Sequence, residues 1–403
     1  MNLLIINGNL IDGKGNITEN AWIFIKDKII EKMGNGDILK NFGNYSMIDA
    51  AGKTILPGLI DCHVHIIMSG GDPPTEKKLK SKDTMILEAV ANCRKTLFSG
   101  ITTVRDMGSY ECEDISLRDA IESHLIVGPR IVCSGRAICA TGGHGWTLGA
   151  READGVEEVR KAVREQLKAG ADNIKILASG GFVTEGVNPI HAQFSLDELK
   201  MAVKEARKAG KITAAHSHPP ESIKDCIMAG INSIQHAMFL DDEAIDLMVE
   251  KGVYLSPTLM PPKKVFNNPE LAPKWLWQKV KGVIPIHSGN AAKAYRAGVK
   301  IVMGSDSGAP PIPHGKNLGE LIELVGIGMT THEVIQSATS KAAEALRLED
   351  ITGSIQEGKM ADIIITEGDP LSDITILEDE RNIRIIIKEG EIVKDSRSLP
   401  NET

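Results

Sequence analysis

The chain has 403 residues, 42% hydrophobic and 25% charged, the balance of a soluble globular protein with room for one large domain and a smaller one. A net charge of −8 argues against nucleic acid or an anionic membrane as a partner. No stretch approaches the ~20 apolar residues needed to span a bilayer. The N-terminus lacks the basic start of a signal peptide, and the six cysteines form no C-x-x-C pair. The expectation is a cytoplasmic chain with free thiols that acts on a small molecule, with self-association as a homo-oligomer left open.

Residues 1–56 read as short strands, Leu3–Ile6, Ala21–Ile25, Lys28–Ile30 and Thr54–Leu56, between turns such as Asn7-Gly8-Asn9. Ala361–Ile365, Ile383–Ile387 and Glu391–Val393 repeat the pattern at the other end. Two strand-rich ends around a different middle predict one small β-sandwich domain built from 1–56 plus 353–403.

The middle, 57–352, repeats a simple grammar. A helical stretch ends in a small or polar residue and Gly, and a strand follows at once: Ser99-Gly100, Ala169-Gly170, Ala209-Gly210, Ala229-Gly230, Lys251-Gly252 and Ala297-Gly298 each precede one. Ser195 and Thr330 open helices with capping boxes closed by Glu198 and Glu333. With the run 57–65 and Arg130–Cys133 the count is eight strands. Strand and helix in alternation imply an α/β fold with a parallel sheet, and eight units predict a (β/α)8 TIM barrel. An open doubly wound sheet is the alternative.

The run 57–65 ends in Asp61-Cys62-His63-Val64-His65. Residues i and i+2 of a strand share a face, so the two imidazoles project together as half a metal site. Lys175, His216, His236 and Asp306 end similar apolar runs, on the face where barrel active sites are built. Alternation turns Ile174 and Ile176 outward and Lys175 inward. A lone interior lysine is costly unless paired, for example with Asp306, or neutralised. Reaction of its amine with CO2 would give a carbamate able to bridge two metal ions.

In this order, Leu-Pro-Gly-Leu-Ile-Asp-Cys-His-Val-His (56–65), Thr-Thr-Val-Arg-Asp (102–106), Thr-Gly-Gly-His-Gly (141–145), Ile-Lys-Ile-Leu-Ala-Ser-Gly-Gly (174–181), Ala-His-Ser-His (215–218), Ile-Gln-His-Ala (234–237), Gly-Ser-Asp (304–306) and Gly-Lys-Met-Ala-Asp-Ile (358–363) resemble the amidohydrolase superfamily over nearly the whole chain. The branch most resembled is that of metal-dependent Xaa-Pro dipeptidase and carboxypeptidase-like enzymes, related to imidazolonepropionase.

The resemblance implies two divalent metal ions, zinc the usual metal. His63 and His65 with Asp306 would hold one, His216 and His236 the other, and carboxylated Lys175 would bridge them. A metal-bound hydroxide would attack an amide carbonyl, with Asp306 as general base and acid. His144 becomes a substrate or transition-state hydrogen-bond donor. His218, where relatives of this branch usually carry Tyr, departs from the pattern and is either a substrate contact or a residue that only shares the strand's inward face.

Arg105 could clamp a substrate carboxylate or pair with Asp106. His314 is expected in solvent. The long segment 259–290, with Trp275 and Trp277, is expected as a lid, a substrate wall or a subunit contact. The leading function is hydrolysis of a dipeptide or N-acyl amino acid with a free C-terminal carboxylate. The alternative is a cyclic amide, lactone or organophosphorus ester on the same metals, and a barrel that has lost catalysis is disfavoured because all six metal positions are filled.

Overall fold

The computed structural model describes residues 2–38, 42–71 and 81–397. The N-terminal strands are β1 (Asn2–Ile11), β2 (Ile17–Lys26), β3 (Ile29–Asn35), β4 (Ser46–Asp49) and β5 (Lys53–Pro57). The middle contributes β6 (Leu59–Val64), β7 (Ile101–Asp106), β8 (Arg130–Val132), β9 (Ile138–Cys139), β10 (Arg151–Glu152), β11 (Asn173–Leu177), β12 (Ile212–Ser217), β13 (Ser233–His236) and β14 (Tyr254–Ser256). The last three are β15 (Ile363–Glu367), β16 (Ile383–Lys388) and β17 (Glu391–Asp395).

The two ends of the chain make one sheet, in the order β17-β16-β15-β5-β1-β2-β3, with β4 beside β1. The seam is the antiparallel pairing of β5 with β15, Ile55 opposite Ile365. Alternation assigns the faces. Ile363, Ile365, Ile385 and Ile387 join Leu3, Ile5, Ile23 and Ile25 in a core of their own, while Ile364 and Ile386 turn to the main core. β4 was not foreseen: Ser46-Met47-Ile48-Asp49 buries only Ile48 and pairs in parallel along β1.

In the middle, β6, β7 and β8 form one parallel sheet, and β9 to β14 another. Asp172 and Asn173 donate their N–H groups to Cys133 O, linking β8 to β11. Past β14, Leu255 bonds Lys300 O and Val302 bonds Leu255 O at 2.9 Å each, and Cys62 and His65 on the β6 side bond Met303 O and Ser307 O. The expected eighth strand, 300–303, is thus a line of single bridges rather than a ladder. Ser337 O takes Met303 N–H and Ala338 O takes Ile60 N–H, so a helix end wedges between the two strands. Both capping boxes form, at Ser195 with Glu198 and at Thr330 with Glu333.

Candidate metal centre

His63, His65, Lys175, His216, His236 and Asp306 all line one cavity of about 120 Å³. His63, His236 and Asp306 each bring one ligand atom within 4.8 Å of the others. His65 reaches the same carboxylate, and the His216 ring lies 4.6 Å from that of His236. The tight trio cuts across the expected division into two ligand sets, because it holds a member of each. The Lys175 side chain is buried, and among the described residues no carboxylate lies within ion-pair distance of its Nζ.

Local structure explains why these strand ends converge. Asp61, two residues before His63, is buried and accepts from His63 N, Ser305 N, Ser305 Oγ and Asn317 Nδ2. This stitches the His-x-His strand to the Gly-Ser-Asp turn, and Asp306 N–H closes it on His63 O at 2.8 Å. Gly304 is needed for the approach: a Cβ there would lie 2.1 Å from Ser256 Oγ and 2.9 Å from His63 Cβ. His236, Thr258 and Asp306 adopt positive φ of 70°, 50° and 57°, a conformation that costs a non-glycine residue ~1–2 kcal/mol and that clusters at functional sites.

The hydrogen bonds behind the rings test whether the site suits a metal. His63 Nδ1 donates to Gln235 Oε1 at 2.9 Å and His65 Nδ1 to Gly108 O at 3.2 Å. Both Nε2 atoms therefore carry bare lone pairs, and they sit 3.4 and 3.5 Å from Asp306 Oδ1. Thr258 gives its proton to Pro257 O, so it accepts from His236 Nδ1 at 2.6 Å and leaves that Nε2 bare as well. His216 donates from Nε2 to Gly180 O at 3.1 Å, which frees Nδ1. Lone pairs and a carboxylate crowded without protons between them repel unless a cation sits among them. The donor set fits divalent metal.

Electrostatics agree. Burial holds His63, His216 and His236 neutral, well below the ordinary histidine range, and takes His65 to about 4. Burial also lowers the Lys175 ammonium to about 7, opposed by Asp306, and raises Asp306 to about 7 against the pull of Lys175.

The remaining predicted residues divide. His144 lines the cavity with its ring 4.3 Å from His216. His218 also lines it, packed edge-on against Phe182, and among the described residues neither of its buried ring nitrogens has a partner. Arg105 corrects its expectation. It is fully buried and gives Nε–H to Cys62 O and Nη1–H to Ser233 Oγ, while Asp106 instead accepts from Ile66 N and Gly108 N. His314 is not in solvent. It is buried, bonded to Thr96 Oγ1 through Nδ1 and to His65 O and Met68 O through Nε2, and so braces the His-x-His turn.

The segment 259–290 forms helices Met260–Asn267 and Lys274–Val280 and opens Ile284–Ala297. Pro261, Val265, Leu276 and Val280 face the cavity beside Met238 and Phe182, so it is a wall. Glu320 anchors it, accepting Leu259 N and Met260 N at 2.8 Å each. The sequence singles out neither Thr258, Glu320 and Thr184 nor the part that Gln235 plays within its Ile-Gln-His-Ala motif. Each is a common polar residue whose partner lies on a different part of the backbone, and nothing local marks it.

Known proteins place the chain. The model of the Amidohydrolase family matches residues 54–393, and the chain belongs to that family. Ochratoxinase of Aspergillus niger is 34% identical over 97% of this chain and 86% of its own length. A Xaa-Pro dipeptidase crystallised with bound methionine in the active site superposes with a TM-score of 0.90 at 36% identity, covering 98% of this chain and 100% of its own. A prolidase complexed with N-methylphosphonate-L-proline gives 0.91 at 30% identity, over 98% and 100%. The fold is therefore α/β of the TIM-barrel type shared by amidohydrolases, and the protein is a hydrolase.

Proposed function

We propose that the protein is a binuclear metal-dependent amidase that cleaves a dipeptide or an N-acyl amino acid with a free C-terminal carboxylate. The observation that carries this is the convergence of bare histidine lone pairs on Asp306 beside a buried lysine whose ammonium is lowered to about 7. In the same reading, 57–352 is a closed (β/α)8 barrel and 1–56 with 353–403 a β-sandwich. Two divalent ions, when bound, would supply an ionised water and polarise the carbonyl. His63, His65, His216, His236 and Asp306 would hold them.

Lys175, whose ammonium form is disfavoured by burial, attacks CO2 through its neutral amine. The N–C bond forms as a C–O π bond of CO2 opens, the surplus nitrogen proton passes to solvent water, and an anionic carboxylate stands where a buried cation was costly. Asp306 takes the proton of the attacking water and passes it to the leaving amine nitrogen. His144, held neutral by burial at about 3, donates a hydrogen bond to the oxygen on which charge develops. His218, with both ring nitrogens unpartnered among the described residues, contacts the substrate's carboxylate end. Large apolar walls take the rest.

The similarity to ochratoxinase and to Xaa-Pro dipeptidase supports an amide substrate. A panel of N-acyl amino acids, Xaa-Pro dipeptides, cyclic amides, lactones and organophosphorus esters tests it. Turnover confined to the esters and lactones would replace this reading with the alternative.

A further inference from the structure

We infer that Thr184 sets the tautomer of His144, holding the imidazole in the form that carries its proton on Nε2 and so presents a donor to the substrate. The inference deepens the role given to His144 above, but its test does not depend on that role. Thr184 Oγ1 lies 2.9 Å from His144 Nδ1 and 3.0 Å from Gly145 N. A backbone N–H can only donate, so the hydroxyl accepts there. Thr184 is 2% exposed, and among the described residues its Oγ1 has no third partner. Its one proton therefore goes to His144 Nδ1, the alternative being a buried hydroxyl proton with no acceptor. An accepting Nδ1 is a bare Nδ1, and the ring proton of neutral imidazole then resides on Nε2.

The ring is fixed around that bond. Gln193 Oε1 accepts His144 N–H at 3.0 Å. Gly181 lies against the far edge, where a Cβ would stand 2.4 Å from Nε2 and Cε1. Nε2 itself has no protein partner among the described residues, and His144 lines the cavity. Thr184 touches no metal ligand through these bonds, so it is a positioning residue that acts through His144.

The test reads the tautomer directly. Full-length, zinc-loaded protein with 15N-labelled histidine is recorded at pH 8, where imidazole is neutral, and the His144 signals are assigned by their loss in His144→Gln. Wild-type His144 should show a protonated Nε2 and a bare Nδ1. Thr184→Ser should keep that pattern, and Thr184→Val, which loses the hydroxyl at nearly the same volume, should move the proton substantially to Nδ1. With the best amide of the panel, Thr184→Val should lower kcat about tenfold with KM within about twofold, and Thr184→Ser should restore it. A wild-type Nδ1–H signal, or an unchanged tautomer in Thr184→Val, overturns the inference. The expected tautomer in a protein that cleaves no amide supports it and sinks the amidase reading instead.

Discussion

His236 and His144 each lean on a threonine through Nδ1, yet the two pairs run in opposite directions. Thr258 has an acceptor as its other partner, Pro257 O, so it receives a proton from His236 and leaves Nε2 bare for a metal. Thr184 has a donor as its other partner, Gly145 N–H, so it gives its proton to His144 and leaves Nε2 protonated for a substrate. The chemistry of each ring is decided two bonds away, by whether a backbone carbonyl or amide meets the hydroxyl. The difference separates a rim of acceptors on the strand ends from a donor side carried by the loops.

The sharpest break in that comparison is at the shared carboxylate. Asp306→Asn keeps an oxygen for a ligand and loses the base, so kcat should fall ~10³-fold while metal per chain, read by elemental analysis, stays near wild type. Near-normal turnover would remove Asp306 as the base. The histidines come next. His236→Gln should lose metal and activity together, whereas His144→Gln should keep its metal and lose ~10²-fold in kcat. Equal metal loss in both variants would erase the distinction between rim and donor side.

Lys175 belongs to the rim and supplies a pH dependence. Burial depresses its ammonium to about 7 from the ordinary lysine value of 10.5, so the nucleophilic amine is the minor form below pH 7 and the major form above it. At fixed dissolved CO2 and zinc, recovery of activity by the metal-free protein should be roughly tenfold faster at pH 8 than at pH 6. An unshifted lysine would give roughly a hundredfold, and no dependence would mean that no carbamate is needed.

How much of this the sequence displays follows the same division. The proposed rim ligands lie at or near the ends of apolar runs, where a His or Asp is a local signal, and Lys175 is the one charge inside the strand Asn173–Leu177, so His63, His65, Lys175, His216, His236 and Asp306 are legible together. The small-residue-Gly junctions made the strands countable, although the segment 300–303 opens around Ser337 and Ala338 and never becomes a ladder. The donor side is not local. His314 looked like a loop histidine because its partner Thr96 lies 218 residues away. Arg105 looked available for a carboxylate until Ser233, on another strand, took its guanidinium. Thr184 reads as one more polar loop residue, and the amide that fixes its direction, Gly145, is 39 positions back.

The smallest expected effect is at Lys279, and it tests whether the donor side is a separate mechanical unit. Its Nζ donates to Gly181 O, Phe182 O, Thr184 O and Val187 O, at 3.4, 3.4, 2.9 and 2.7 Å. Its ammonium also sits over the Trp275 ring, with Nζ 5.2 Å from the centroid. The helix Lys274–Val280 thus pins the loop that carries Thr184 and Phe182 to the cavity wall, and it touches none of the strand-end ligands through these bonds. Lys279→Met keeps the apolar stem and removes the clamp. Half-exposed hydrogen bonds of this kind contribute about 1 kcal/mol in net, so kcat should fall by at most about fivefold. Limited proteolysis within 181–190 should quicken while metal content holds. Loss of metal in this variant would show that loop and rim are one unit after all, and a loop cut no faster than in wild type would show that the clamp holds nothing in place.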